Sequence, residues 1–161
     1  MARDAIKSNG NVWFDARILA AMGNERLNSR EGAAEAIGCS VDTIRRIETG
    51  LCKTMEVENA VLLSDLYNRP DLKNHYCLNE CPIGRNRPIS DDMEEIDRVA
   101  VKLTQILRKE TVQGIKHKLQ DIAADGKITD DEIKDFIEVV DELRELSRII
   151  SQVELLKDCR V

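Results

Sequence analysis

Apolar residues recur at helical spacing through most of this chain, and the capping residues between them set the limits of the helices. Val12, Trp13, Ile18, Leu19 and Met22 predict a first helix from Asn11 or Val12 to about Met22. Ser29 is placed to cap the next, which runs over Ala33, Ala34 and Ile37 and stops at Gly38. Ser40 opens a third, with Val41, Ile44 and Ile47 on one face and Gly50 at its end. Thr54 is expected to cap a fourth, whose core face is Val57, Ala60, Val61, Leu63 and Leu66, and Pro70 to begin a short fifth. The small residues Gly32, Ala33, Ala34 and Ala36 let the second and third helices pack closely across a tight turn.

The texture changes at Ser90. Ser90-Asp91-Asp92 reads as the start of a long helix with a stripe of Ile96, Val99/Ala100, Leu103, Ile106/Leu107, Ile115, Leu119 and Ile122, a kink expected at Gly114 and a break at Ala123-Ala124-Asp125-Gly126. Thr129 and Glu132 form a capping box for a last helix that reaches about Leu156 or Lys157. In it Phe136, Val139, Leu143, Leu146, Ile150 and Val153 step by three and four, a heptad seam. Ile133, Ile137, Val140 and Ile149 widen that stripe beyond what one antiparallel partner covers. A second copy of the chain is therefore expected to complete a bundle about a two-fold axis.

The segment from Ala34 to Gly50, A-E-A-I-G-C-S-V-D-T-I-R-R-I-E-T-G, resembles the helix-turn-helix of the phage-repressor-like (XRE) family of transcriptional regulators. The likeness extends less sharply to about Asn68 and covers roughly a third of the chain. It implies an all-α fold: a five-helix, lambda-repressor-like domain over 1–74, followed here by a Cys/Pro linker over 75–89 and a long two-helix dimerisation hairpin over 90–161. The connection Gly23 to Asn28 is longer than the family usually shows. The family's glutamate often has a partner on the first helix, and Arg17 is the candidate partner for Glu48.

Composition changes this picture in one respect. The net charge is −6, the wrong sign for a DNA binder, but all of the excess lies in one half. Residues 1–88 carry 12 basic and 12 acidic side chains, and residues 89–161 carry 12 and 18. An acidic tail is repelled by phosphate and is expected to face away from DNA. Aromatic residues are only 3% of the chain, so the core is aliphatic, and Trp13 is assigned to it. No run of about 18 apolar residues predicts a membrane span, and the opening M-A-R-D-A-I-K lacks the apolar stretch of a secretion signal, so a cytoplasmic location is expected.

Five cysteines in such a chain argue against a disulfide framework. His75, Cys77 and Cys81 are weak metal candidates. A tetrahedral site needs four ligands, and Cys52 supplies the fourth only if the fold brings it close. The plainer reading makes Cys77 and Cys81 small buried residues that pin the linker, and Cys39 a core residue. Asp121 to Glu132 has the outline of a calcium loop, but Ala123 stands where a ligand oxygen is needed. No metal or cofactor is expected. With two histidines, no Gly-rich phosphate loop and no Ser/His/Asp or Cys/His grouping, no enzyme activity is expected either.

The resemblance implies that Ser40 to Gly50 holds the recognition helix, in the major groove. Val41, Asp42, Arg45 and Arg46 are then the base-contact candidates, and Arg46 can hold guanine O6 and N7 bidentately. Arg30, Ser40, Thr43 and Lys53 are candidates for phosphate. The function expected is a dimeric, sequence-specific DNA-binding regulator acting as a repressor. The alternative is a helical interaction module, antagonist- or antitoxin-like, whose tail docks a protein partner.

Overall fold

In the computed structural model the described residues, 10–124 and 126–158, form eight α-helices and no strand. These are α1 (Val12–Ala20), α2 (Arg30–Ile37), α3 (Val41–Glu48), α4 (Val57–Leu66), α5 (Asp71–Asn79), α6 (Ile96–Ile106), α7 (Lys109–Ile122) and α8 (Ile133–Asp158). None is long and apolar enough to cross a membrane. The chain divides into two units, Met1–Arg85 and Asn86–Val161.

In the first unit the limits follow the caps. The Asn11 side chain accepts from the amides of Trp13 and Phe14 and opens α1. A 3-10 turn over Glu25–Asn28 fills the connection to α2. α2 packs on α3 and α4, α1 on α3, and α4 on α5. Their shared core holds Trp13, Leu27, Ile44, Ile47, Leu63 and Leu72, with Ala16, Ala33, Ala34 and Ala60 where backbones come close. Gly32 has a more specific task than easing the α2–α3 crossing. A Cβ there would lie 1.8 Å from the carbonyl oxygen of Arg26, so the 3-10 turn needs glycine in α2.

Thr54 does not cap α4. The helix starts three residues later, after Glu56, with no side-chain cap. The cause is the neighbouring Met55, which is buried and tied to α5: its amide donates to Glu80 Oε2 (3.2 Å) and its carbonyl accepts from Tyr76 Oη (3.1 Å). The stretch read as a linker from residue 75 is still helical as far as Asn79, so His75 and Cys77 belong to α5.

In the second unit the expected long first helix is two helices, and the hairpin becomes a set of three. Ser90 caps nothing. Its amide donates to Ser151 Oγ (2.8 Å), and its hydroxyl accepts from Gln152 Nε2 (3.3 Å), which clamps the start of the unit to α8. Helix begins only at Ile96. The chain breaks again at Leu107–Arg108, where Arg108 is extended (ψ 144°), so that α6 and α7 can each pack on α8. Gly114 lies inside α7. At the start of α8, Glu132 reaches back to the Thr129 amide (2.9 Å), but the Thr129 hydroxyl donates to the same carboxylate (2.7 Å) instead of serving a backbone donor. Asp125, part of the expected break and of the calcium-loop outline, lies outside the described residues.

Candidate nucleic-acid interface

The α2–α3 unit is fixed at each end by its own sequence. Ser29 Oγ accepts from the Gly32 amide (3.1 Å) and starts α2. Gly38, at φ 74°, ends it in the left-handed conformation that glycine adopts at little cost. Ser40 Oγ accepts from the Thr43 amide (3.0 Å) and starts α3. The turn between the two helices is Gly38 to Ser40.

α3 buries Ile44, Ile47 and Glu48 and turns Val41, Asp42, Arg45 and Arg46 outward. Its inner face is held by polar contacts as well as apolar ones. Arg17 Nε and Nη2 lie 2.5 and 3.1 Å from the two Glu48 oxygens, and Arg17 Nη1 donates to the Leu27 carbonyl (2.8 Å). The partner expected for Glu48 on the first helix is in place. Two further ties were not legible in the sequence. Arg30 Nε also reaches Glu48, at 2.7 Å, so one buried carboxylate joins α1, α2 and α3. Asn11 Nδ2 donates to the Ile47 carbonyl (2.9 Å) in the last turn of α3. Neither has a local sequence signal, because each partner lies at least 18 residues away.

This network marks its neighbours electrostatically. Burial, and then the charge of Glu48, push the Tyr67 hydroxyl far above the ordinary tyrosine value, against a smaller opposing pull from Arg17. Burial also raises the Cys39 thiol, which keeps it protonated at neutral pH.

On the outer face the four base-contact candidates are exposed together but differ in state. Val41 is 40% exposed. Asp42 Oδ1 accepts from Arg45 Nε (3.0 Å) and Nη2 (2.6 Å), so these two charges already answer each other. Arg46 has no ion-pair partner among the described residues. It lines an open cleft of about 780 Å³ between α3 and α4, together with Ser40, Thr43, Lys53 and Asn59. Of the phosphate candidates, Ser40 and Thr43 share one hydroxyl–hydroxyl bond of 2.8 Å, which leaves one O–H proton to donate elsewhere. Lys53 is exposed, and Arg30 is half-buried with its Nε engaged.

The seam residues of α8 do not share one environment. Val139 is buried within its own unit, Phe136 and Leu146 are half-buried, and Leu143, Ile150 and Val153 are exposed. His75 packs edge-on against Trp13, with ring centroids 6.5 Å apart. Cys39, Cys52, Cys77 and Cys81 are free thiols. Among the described residues no three His, Cys, Asp or Glu side chains lie together in a way that could hold a metal ion.

Comparison with known protein families, curated proteins and solved structures finds no match.

Proposed function

We propose that the chain is a sequence-specific DNA-binding regulator, acting as a dimeric repressor, in which α2 and α3 work as a helix-turn-helix and α3 enters the major groove. The observation that carries this is the division of α3 into an anchored face and a free one. Ile44, Ile47 and Glu48 fix the helix in the core, while Arg46 stands exposed and unengaged on the opposite side. A guanidinium held by a rigid helix but not spent on an internal partner suits bidentate contact with guanine. The Asp42–Arg45 pair on the same face lowers the non-specific attraction to phosphate, so affinity depends more on base contacts and on two heads acting together.

Fluorescence anisotropy tests the reading, with the protein on duplex DNA from its own upstream region and on a scrambled duplex, at two salt concentrations. The expected result is salt-sensitive binding to the first duplex, weakened roughly 5- to 150-fold by Arg46→Ala. Equal weak binding to both, unchanged by the substitution, refutes it.

One observation favours a second reading, the protein-interaction module. Among its described residues the second unit exposes more large apolar side chains than it buries, and a foreign protein partner is one way to cover them. That reading predicts that Arg46→Ala leaves partner capture intact.

A further inference from the structure

The cleft between α3 and α4 is not a cationic one. Four charged side chains line it: Arg46 of α3, Lys53 of the loop that follows, and Glu56 and Glu58 at the start of α4. All four are exposed. None takes part in an ion pair among the described residues, and the one bond to a glutamate is a long one, from Asn59 Nδ2 to Glu56 Oε2 (3.5 Å). The two bases and two acids therefore balance over an opening of about 780 Å³. On the outer face of α3, Asp42 already answers Arg45. Neither glutamate is among the residues that the sequence assigns to DNA.

The glutamates stand where phosphate would otherwise be drawn. No side chain caps α4, so its first amides are not answered by a side-chain acceptor. The positive end of a helix dipole attracts an anion, phosphate included. Glu56 and Glu58 bring their own negative charge to that end, which favours the helix and repels a second anion. Lys53 precedes Glu56 by one turn's worth of chain, so a phosphate attracted to its ammonium also meets the two carboxylates, well within the Debye length of about 10 Å. A base edge is different. Guanine O6 and N7 are neutral acceptors, and a bidentate guanidinium contact is made at short range. The glutamates thus oppose the part of binding that comes from phosphate and spare the part that comes from Arg46.

We propose that Glu56 and Glu58 set the affinity of the DNA face: they suppress sequence-independent binding by a single head, so that stable binding needs the base contact of Arg46 and a second head. This rests on the DNA reading above and adds to it two residues that act by repulsion.

The test is fluorescence anisotropy of the full chain on a labelled duplex of random sequence, at about 50 and about 200 mM salt. Glu56→Gln with Glu58→Gln removes both charges at exposed positions and keeps the shape of the side chains. The double variant is expected to bind the random duplex roughly tenfold more tightly at the lower salt, with a salt slope steeper by about 1. Asp130→Asn with Asp131→Asn makes the same change of net charge at exposed positions of the second unit, and is expected to leave the affinity within about twofold. Unchanged binding by the glutamate variant overturns the proposal. So does an equal gain in the aspartate variant, which would make net charge alone the cause. These outcomes need no preferred duplex. Failure of the DNA reading shows separately, as a wild-type protein that prefers no sequence and an Arg46→Ala variant that behaves like it.

Discussion

The Arg17 guanidinium lies along the Glu48 carboxylate with both side chains nearly removed from water, at 4% and 1% exposure. Glu48 is the last residue of α3, and Arg17 sits on α1. The pair therefore fixes how the outward face of α3 is aimed, through a contact on its inward face. Removing one partner leaves a buried charge uncompensated, at a cost of about 3–5 kcal/mol. Glu48→Ala is expected to lower the stability of the first unit by that amount in chemical denaturation. Replacing Arg17 and Glu48 together with Met and Leu should recover most of the loss. Equal losses in the single and double variants would contradict this account.

Two glycines in helices predict opposite signs. Alanine is about 1 kcal/mol better than glycine in a helix interior. At Gly114 a Cβ meets nothing within 4 Å, so Gly114→Ala is expected to stabilise by about 0.5–1 kcal/mol. At Gly32 the new Cβ would collide with the Arg26 backbone, which cannot move without displacing the 3-10 turn. Gly32→Ala should therefore destabilise despite its better propensity. Thermal unfolding of the two variants checks both signs.

What could be read in the sequence was local. Ser29, Gly38 and Ser40 are capping residues with partners three or four positions away, so α2, the turn and α3 stand where the sequence places them. The Arg17–Glu48 partnership was legible only through the family resemblance. The first expected helix of the second unit failed for a physical reason. The break at Leu107–Arg108 contains neither glycine nor proline and is set by packing on α8. Ser90 has the look of a cap, and its hydroxyl does accept from the Asp92 amide, but no helix starts there, and the contacts that tie it to α8 come from residues 61 and 62 positions away. Val139 fits a heptad seam by spacing, yet it faces its own unit, because spacing along one helix does not tell which neighbour covers it.

Alkaline pH should unfold the first unit through Tyr67. Its hydroxyl is raised first by burial and then by Glu48, and the Tyr76 hydroxyl is raised as well. In the unfolded chain a tyrosine ionises near its ordinary value of about 10. Stability is thus intact below about pH 10 and falls as pH rises from there toward the folded value, because only the unfolded chain releases the proton. Tyrosinate absorbance is expected to rise together with loss of helical ellipticity, and Tyr67→Phe to flatten the decline. Ionisation of both tyrosines near pH 10 with helicity intact would contradict the assignment.

The N-cap of α3 offers a milder change. Ser40→Ala removes the acceptor for the Thr43 amide and should cost about 1 kcal/mol of stability. It also removes one hydroxyl of the pair offered to phosphate. On the proposed reading it weakens binding to all duplexes alike, without changing which sequence is preferred, and a changed preference in parallel titrations contradicts the phosphate role.

The most direct measurement is selection of the full-length protein against a library of random duplexes, with Arg46→Ala carried in parallel. The account predicts an enriched two-fold-symmetric sequence with a G·C pair at a fixed place in each half-site, and loss of the preference at that pair in the variant. No enrichment by the wild-type protein, or an identical enriched sequence for both proteins, would contradict the claim that α3 reads DNA through Arg46.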